Sequence, residues 1–256
     1  MAAGQVIYTL WLREMKWLIR AKSRLIASIV QPFLWLAIIG VGMSSTFGTI
    51  PGSNITYLQF MTSGIIGMTL LFSSTMAGVS VLWDKQFGFM KEILVAPVPR
   101  IQIMLGKVLG GMTTSILQGL LLLVAAAAVG VRPSGIVELL QVLVFMVLIS
   151  MSFVSIGLAF ASRMEDPIAF PIVMNFLIMP LFFLSGGLYM ANMVPSWLSF
   201  LSRLDPLTYG VDGIRTAILG TSQLSQFPMW LDFAVLGVFA LSMILLGGYL
   251  FKKIKA

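Results

Sequence analysis

Residues 92–107, Glu92-Ile93-Leu94-Val95-Ala96-Pro97-Val98-Pro99-Arg100-Ile101-Gln102-Ile103-Met104-Leu105-Gly106-Lys107, break an otherwise greasy chain with charge and two prolines. Shortly before them, the 59 residues from Leu25 to Trp83 carry no charge at all. The chain is 59% hydrophobic and 10% charged, with a mean hydropathy of +1.01. A water-soluble core of ordinary size cannot hide that much apolar surface, so the chain reads as an all-α membrane protein.

Charges near the centre of a span cost on the order of 3 kcal/mol each, so the gaps between charges map the crossings. At about 1.5 Å per residue the run from 25 to 83 would reach roughly three bilayer cores, too long for one helix. It reads as two spans, near 25–47 and 58–83, joined by the turn-rich Gly48-Thr49-Ile50-Pro51-Gly52-Ser53-Asn54. Further spans are expected near 108–131, 139–162, 167–189 and 233–251, making six. When these spans are threaded alternately, thirteen Lys and Arg fall on the side holding both termini and the 84–107 loop, against three on the other. The positive-inside rule then places both termini and that loop in the cytoplasm, in a multi-pass protein of the plasma or inner membrane. The excess positive charge serves topology and attraction to anionic lipid. No nucleic-acid-binding pattern is present.

Cysteine and histidine are both absent, which removes thiol nucleophiles, disulfides, imidazole bases and most transition-metal sites. No HExxH, GxSxG or GxxxxGK[ST] motif occurs. Energy from ATP would therefore have to come from another polypeptide, and no metal or cofactor is expected on this chain.

Residues 1–24 lack a short apolar core ending in a cleavage site and do not read as a signal peptide. Gln5, Thr9, Arg13, Lys16 and Arg20 form one polar stripe, with Val6, Ile7, Leu10, Trp11, Trp17 and Leu18 facing elsewhere. That spacing predicts an amphipathic helix on the membrane surface; a simple basic anchor that only sets orientation is the alternative. The remaining chain, 25–256, reads as one six-span membrane domain. Within it, Pro32 falls early in the first span, and Gly106 and Gly110 suit close helix approach. Asp166-Pro167 opens the fifth span, which carries Pro171, Asn175 and Pro180. Ser73, Ser74, Thr75 and Asn175 are the candidate polar lining of a route, although hydroxyls often bond only their own helix.

Residues 190–232 are too apolar for a simple loop. A helix opened by Pro195 is expected, then one capped by Asp205, with Pro206 at its first position and Gly220 as its stop. Asp212 and Arg215 are three apart and suited to pair. Two short helices between spans fit a re-entrant hairpin, with Trp197, Tyr209 and Trp230 at an interface.

The elbow itself is expected to start as a helix from Asp84 to Leu94, which Pro97 and Pro99 then force to turn. Here the chain resembles the permease subunits of type-2 ABC transporters, a family of drug, lipid and polysaccharide exporters. The resemblance rests on Phe89-Met90-Lys91-Glu92-Ile93-Leu94-Val95-Ala96-Pro97-Val98-Pro99-Arg100, on Phe183-Leu184-Ser185-Gly186-Gly187-Leu188, and on Asp205-Pro206-Leu207-Thr208-Tyr209-Gly210-Val211-Asp212-Gly213-Ile214-Arg215. Asp205 stands where relatives often carry Asn.

The resemblance implies a cytoplasmic coupling helix seated on a separate ATPase subunit, over residues 84–96. Its expected surface is Asp84, Phe87, Phe89, Lys91, Glu92, Ile93, Leu94, Pro97, Pro99 and Arg100, with Glu92 and Arg100 fixing the elbow. It implies a connecting helix carrying Arg13, Lys16 and Arg20, and an external re-entrant hairpin over 191–220 with Asp205, Pro206, Tyr209, Asp212 and Arg215. It further implies a permease homodimer on two ATPase copies, with ATP and Mg bound by the ATPase, and a route lined by the second and fifth spans. The expected cargo is hydrophobic or amphipathic, with a polysaccharide or lipid-linked glycan as the alternative. A secondary carrier is the reading from another class, and the scarcity of ionisable residues inside the spans weighs against it.

Overall fold

The computed structural model describes residues 3–20, 22–42, 48–50, 53, 55–189 and 194–254. Helices α1 (Ala3–Arg20) and α2 (Lys22–Trp35) come first, and Leu36–Val41 continue α2 with the wider π-type turn. There follow α3 (Tyr57–Met76), α4 (Val79–Gln86), α5 (Phe89–Val95), α6 (Arg100–Ala128) and α7 (Ile136–Arg163). The chain closes with α8 (Ala169–Leu184), α9 (Ser196–Leu204), α10 (Pro206–Leu219) and α11 (Met229–Lys252). Among the described residues there is no strand beyond an isolated antiparallel bridge, Thr49 to Thr56.

That bridge closes the turn expected between the first two spans. Gly48 takes φ +57°, and Ile50 N–H donates to the Ile55 carbonyl at 2.9 Å. Residues 51, 52 and 54 of the turn lie outside the described residues. Thr56 then opens α3 with a capping box: its hydroxyl accepts from Gln59 N–H, and the Gln59 side chain accepts from Thr56 N–H.

Among the described residues, four helical segments are long and apolar enough to cross a bilayer: Tyr57–Gln86 (α3 with α4), Arg100–Ala128, Ile136–Arg163 and Met229–Lys252. The two other expected crossings are shorter. Helix α8 has 16 residues, about 24 Å at 1.5 Å each, below the roughly 30 Å of hydrocarbon. It starts at Ala169 rather than 167, because Pro167 and Ile168 are held in a turn by Asp166, whose carboxylate accepts from Ile168 N–H at 2.7 Å. The first expected span is helical from Lys22 to Val41, with Pro32 inside α2, and residues 43–47 lie outside the described set.

Helices α3 and α7 occupy the centre. Several of their hydroxyls bond the preceding turn: Thr69 the Ile65 carbonyl, Thr75 Leu71, Ser152 Leu148 and Ser155 Met151, whereas the Ser74 and Ser150 hydroxyls are buried without a partner. Backbone-bonded hydroxyls cost little to enclose, so serine and threonine sit in an apolar core without separate polar partners. Helix α11 faces outward, exposing Val238, Leu241, Leu245 and Tyr249 as a helix in hydrocarbon does.

Candidate functional site

The N-terminal helix docks on protein rather than only on headgroups. Val6 is buried and Leu10 packs against the core, while Gly106 and Gly110 on α6 open the space that α1 occupies. A Cβ on Gly106 would stand 2.7 Å from Leu10 Cβ, and one on Gly110 2.7 Å from Glu14 Cβ. Trp11 Nε1 adds a hydrogen bond to Thr113 Oγ1 at 3.0 Å. The two glycines thus have the amphipathic helix as their partner.

This docking assembles a charge network that no local pattern announces. Arg13 Nη2 donates to Asp84 Oδ1 and Oδ2 at 2.7 and 2.5 Å. Lys107 Nζ lies 2.7 Å from Asp84 Oδ2 and 3.2 Å from Glu14 Oε1, and bonds Ser80 Oγ at 3.2 Å. Two cations meet two carboxylates, so the cluster is neutral as a whole, and Lys107 is only 2% exposed. Buried charges of this kind are tolerated because each is paired and hydrogen-bonded. Asp84, expected on the surface offered to an ATPase, is instead buried in this network, because its span carries it up against Lys107 and Arg13.

The elbow beyond it is tied at three points. Lys85 Nζ donates to the carbonyls of Ala161, Ser162 and Met164, each at 3.0 Å, which satisfies the orphan end of α7. Arg100 donates to the carbonyls of Lys252 and Ile254 at the end of α11. Trp83 stacks on Phe87 with ring centroids 5.6 Å apart. The expected continuous helix from Asp84 to Leu94 is broken at Phe87 and Gly88. Gly88 adopts φ +80°, a left-handed turn that redirects the chain into α5. Ala96 is extended, as the following Pro97 requires, and Pro99 is extended where α6 begins.

On this frame Met90 is buried and Ile93 and Leu94 are half-buried, while Phe87, Phe89, Lys91, Glu92, Val95 and Pro97 project outward. Val95 is 84% exposed. Glu92 makes no ion pair or hydrogen bond with the described residues, so Arg100 alone of the two expected residues braces the elbow. Lys16 and Arg20 are exposed on α1, beside Arg13.

At the opposite end of the molecule the second and third family-like stretches come together. Asp205 caps α10, accepting from Leu207 N–H at 3.0 Å with Pro206 at the first position, and Gly220 ends the helix at φ +62°. Helix α10 is enclosed almost entirely by α3, α7 and α11 rather than half exposed. Arg215 and Asp212 pair at 3.6 Å, both buried. Arg215 also donates to the Gly186 carbonyl at 2.7 Å and to Ser63 Oγ at 3.3 Å, and its guanidinium lies over the Phe60 ring at 4.1 Å.

Asp212 Oδ2 accepts from Gln226 N–H and Phe227 N–H at 2.8 and 3.0 Å. Burial lowers Arg215 to about 10, opposed by Asp212, which leaves it charged at neutral pH. Burial raises Asp205 to about 7, against its capping bonds, and its second carboxylate oxygen has no partner. The backbone of Gly187 rests directly on Gly64 of α3, where no side chain fits. Tyr209, expected in an interface belt, is buried: its hydroxyl donates to the Arg203 carbonyl at 2.8 Å and its ring stacks on Phe227. Trp197 and Trp230 are exposed.

Of the polar residues expected to line a route, Ser73 lines a cavity of about 290 Å³ between α1, α2, α3, α4 and α6. Ser74 and Thr75 are buried away from it, Thr75 bonded to its own helix. Asn175 is exposed on α8 beside Ile172, Phe176 and Met179. Sequence reasoning missed Glu14, Lys85 and Lys107 as structural partners; the signal available was that charges bounding long apolar runs rarely stay unpaired.

Residues 5–219 match the family model described as ABC-2 type transporter. The chain is 28% identical to the inner membrane transport permease YadH of Escherichia coli over 243 residues, 93% of this chain and 91% of that one. It is 28% identical to the transport permease ycf38 of Cyanophora paradoxa over 242 residues, 92% of this chain and 83% of that one. To nodulation protein J of Rhizobium meliloti it is 24% identical over 214 residues, 82% of this chain and 80% of that one. An all-helical, multi-pass membrane chain with the elbow and the buried DPLTY helix, matched over most of its length, belongs to the ABC-2 type transporter family.

Proposed function

We propose that this chain is the permease subunit of an ATP-driven exporter, working as a homodimer on two copies of a separate ATPase that binds ATP and Mg. The observation that carries the reading is the elbow: its outer face offers Phe87, Phe89 and Val95 to solvent, while Lys85, Asp84 and Arg100 bolt it to α7, α1, α6 and the end of α11. Exposed apolar side chains on a braced support suit a partner that pushes, because displacement at the tip passes to three spans without loss in a loose linker.

On this reading the elbow and both termini are cytoplasmic, α2 and α8 complete six spans with the partner copy beside them, and α9 with α10 form the external hairpin. The outward face of α8, with Asn175 among Ile172, Phe176 and Met179, faces the route between the two copies. The apolar walls favour a hydrophobic or amphipathic cargo.

The test is co-expression with a candidate ATPase and measurement of permease-dependent ATP hydrolysis and transport in liposomes, comparing wild type with Val95→Asp, Glu92→Ala and the Pro97→Ala/Pro99→Ala double variant. The exposed changes are expected to lower coupled turnover while the thermal midpoint stays at the wild-type value. Absence of any bound ATPase, or unaltered transport in all three variants, overturns the reading.

A further inference from the structure

Positions 106, 110, 114 and 118 recur every four residues along one face of α6. Gly106 and Gly110 are covered by α1, and Gly110, Thr114 and Gln118, further along that face, line the cavity. The opposite wall is α3 and α4, through Met68, Phe72, Ser73, Met76 and Ser80. From Lys107 to Gln118 is eleven residues of α6, or about 16 Å at 1.5 Å each, close to half of the roughly 30 Å hydrocarbon core. The lining therefore extends over about that length of α6.

Its chemistry is graded along that length. At one end stand Glu14 and Lys107, whose charges are already matched within the network, and Ser80, which accepts from Lys107. Beyond them the wall is mostly apolar, through Trp17, Trp35, Met68, Phe72 and Met76, with Gln31 and Gln118 as its two carboxamides, while Thr69 bonds the Ile65 carbonyl at 2.8 Å and Thr114 the Gly110 carbonyl at 3.1 Å. Its size of about 290 Å³ sits at the lower end of the roughly 300–1,000 Å³ typical of small-molecule sites.

We propose that this cavity is a lipid site: it takes one acyl chain of a membrane glycerolipid, with the ester region at the Glu14–Ser80 end and the hydrocarbon along Met76, Phe72 and Met68. The charge network has no net charge to offer a phosphate, so recognition is of the chain and its neutral polar neck. A chain seated there supports α1 where the glycines of α6 end and keeps the connecting helix in register with the span that leads to the elbow.

The test uses the full-length chain in nanodiscs of phosphatidylethanolamine and phosphatidylglycerol, with a trace of phospholipid bearing a mid-chain photoreactive diazirine. No ATPase or nucleotide is present, so the result stands apart from the coupling reading. After irradiation, adducts are mapped by peptide mass spectrometry. Expected are adducts on residues 68–76 and 114–118, besides those on the outward-facing Leu241 and Leu245 of α11. Filling the cavity with Ser73→Phe or Thr114→Phe should remove most of the first set and leave the α11 set unchanged. Thr114→Leu gives the same reading where the bulkier variants fail to fold. Labelling of α11 alone in the wild type, or filled variants labelled like the wild type, overturns the proposal.

Discussion

Replacing Lys107 by methionine is the sharpest probe of the elbow's support. The substitution keeps length and apolar stem but removes the charge that lies 2.7 Å from Asp84 and 3.2 Å from Glu14. Glu14 is then left with Arg13 alone, at 3.6 Å, and Arg13 is shared with Asp84. Removing one partner of a buried ion pair costs roughly 3–5 kcal/mol, and the retained Arg13 bonds place this case near the lower limit, about 3 kcal/mol. At roughly 2–4 °C per kcal/mol for a chain of this size, the melting midpoint should fall by on the order of 6–12 °C.

The Glu14→Gln/Lys107→Met double variant removes one charge of each sign and leaves Arg13 on Asp84, so it should recover most of that loss. Midpoints of purified protein in nanodiscs, followed by tryptophan fluorescence, give both numbers. A Lys107→Met midpoint equal to wild type, or a double variant no better than the single, would refute the argument that an unpaired buried carboxylate sets the cost.

Asp205→Asn should keep the cap, since Asn caps as well as Asp, while removing a buried carboxylate. Burial raises Asp205 from 3.8 to about 7, so folding disfavours its ionised form: stability contributed at low pH is lost as pH climbs from about 4 to about 7, up to about 4 kcal/mol by linkage. Wild type should therefore melt lower at pH 8 than at pH 5 by more than the Asn variant does. Gly64→Ala drives a methyl into the backbone of Gly187 and should cost 3 kcal/mol or more by overpacking, read as loss of monodisperse protein. Gly237→Ala meets nothing and should be neutral or raise the midpoint slightly, by about 1 kcal/mol of helix propensity. Lys85→Ala should leave three carbonyls of the α7 terminus without their donor and lower the midpoint by an amount equivalent to about 1–3 kcal/mol.

Much of the local chemistry is legible in the linear chain. Asp205, Pro206 and Gly220 bound α10 as their types dictate, and the charge-free runs locate the four long apolar helices. The boundary of the elbow was less legible: Gly88 splits it because a left-handed residue there lets Met90 turn into the core, a demand set by neighbours rather than by α5 itself. The polar stripe of α1 was visible, but not that Arg13 would leave the headgroups for Asp84, 71 residues away. Tyr209 reads as an interfacial residue until the rest of the chain encloses it and supplies the Arg203 carbonyl for its hydroxyl.

From the residues alone come the bilayer setting of the chain, the approximate places of its long apolar helices, the caps of α10 and the family-like stretches, because hydrophobic transfer, capping and proline stereochemistry act within a few residues. Only the tertiary structure decided which charges neutralise one another, which glycines receive a neighbouring helix, and where a cavity remains. Pairings such as Glu14 with Lys107, 93 residues apart, and Ser63 with Arg215, 152 apart, arise from helices crossing in space. A buried charge exerts its demand on whatever side chain the packing brings within about 4 Å, and sequence distance does not constrain that choice.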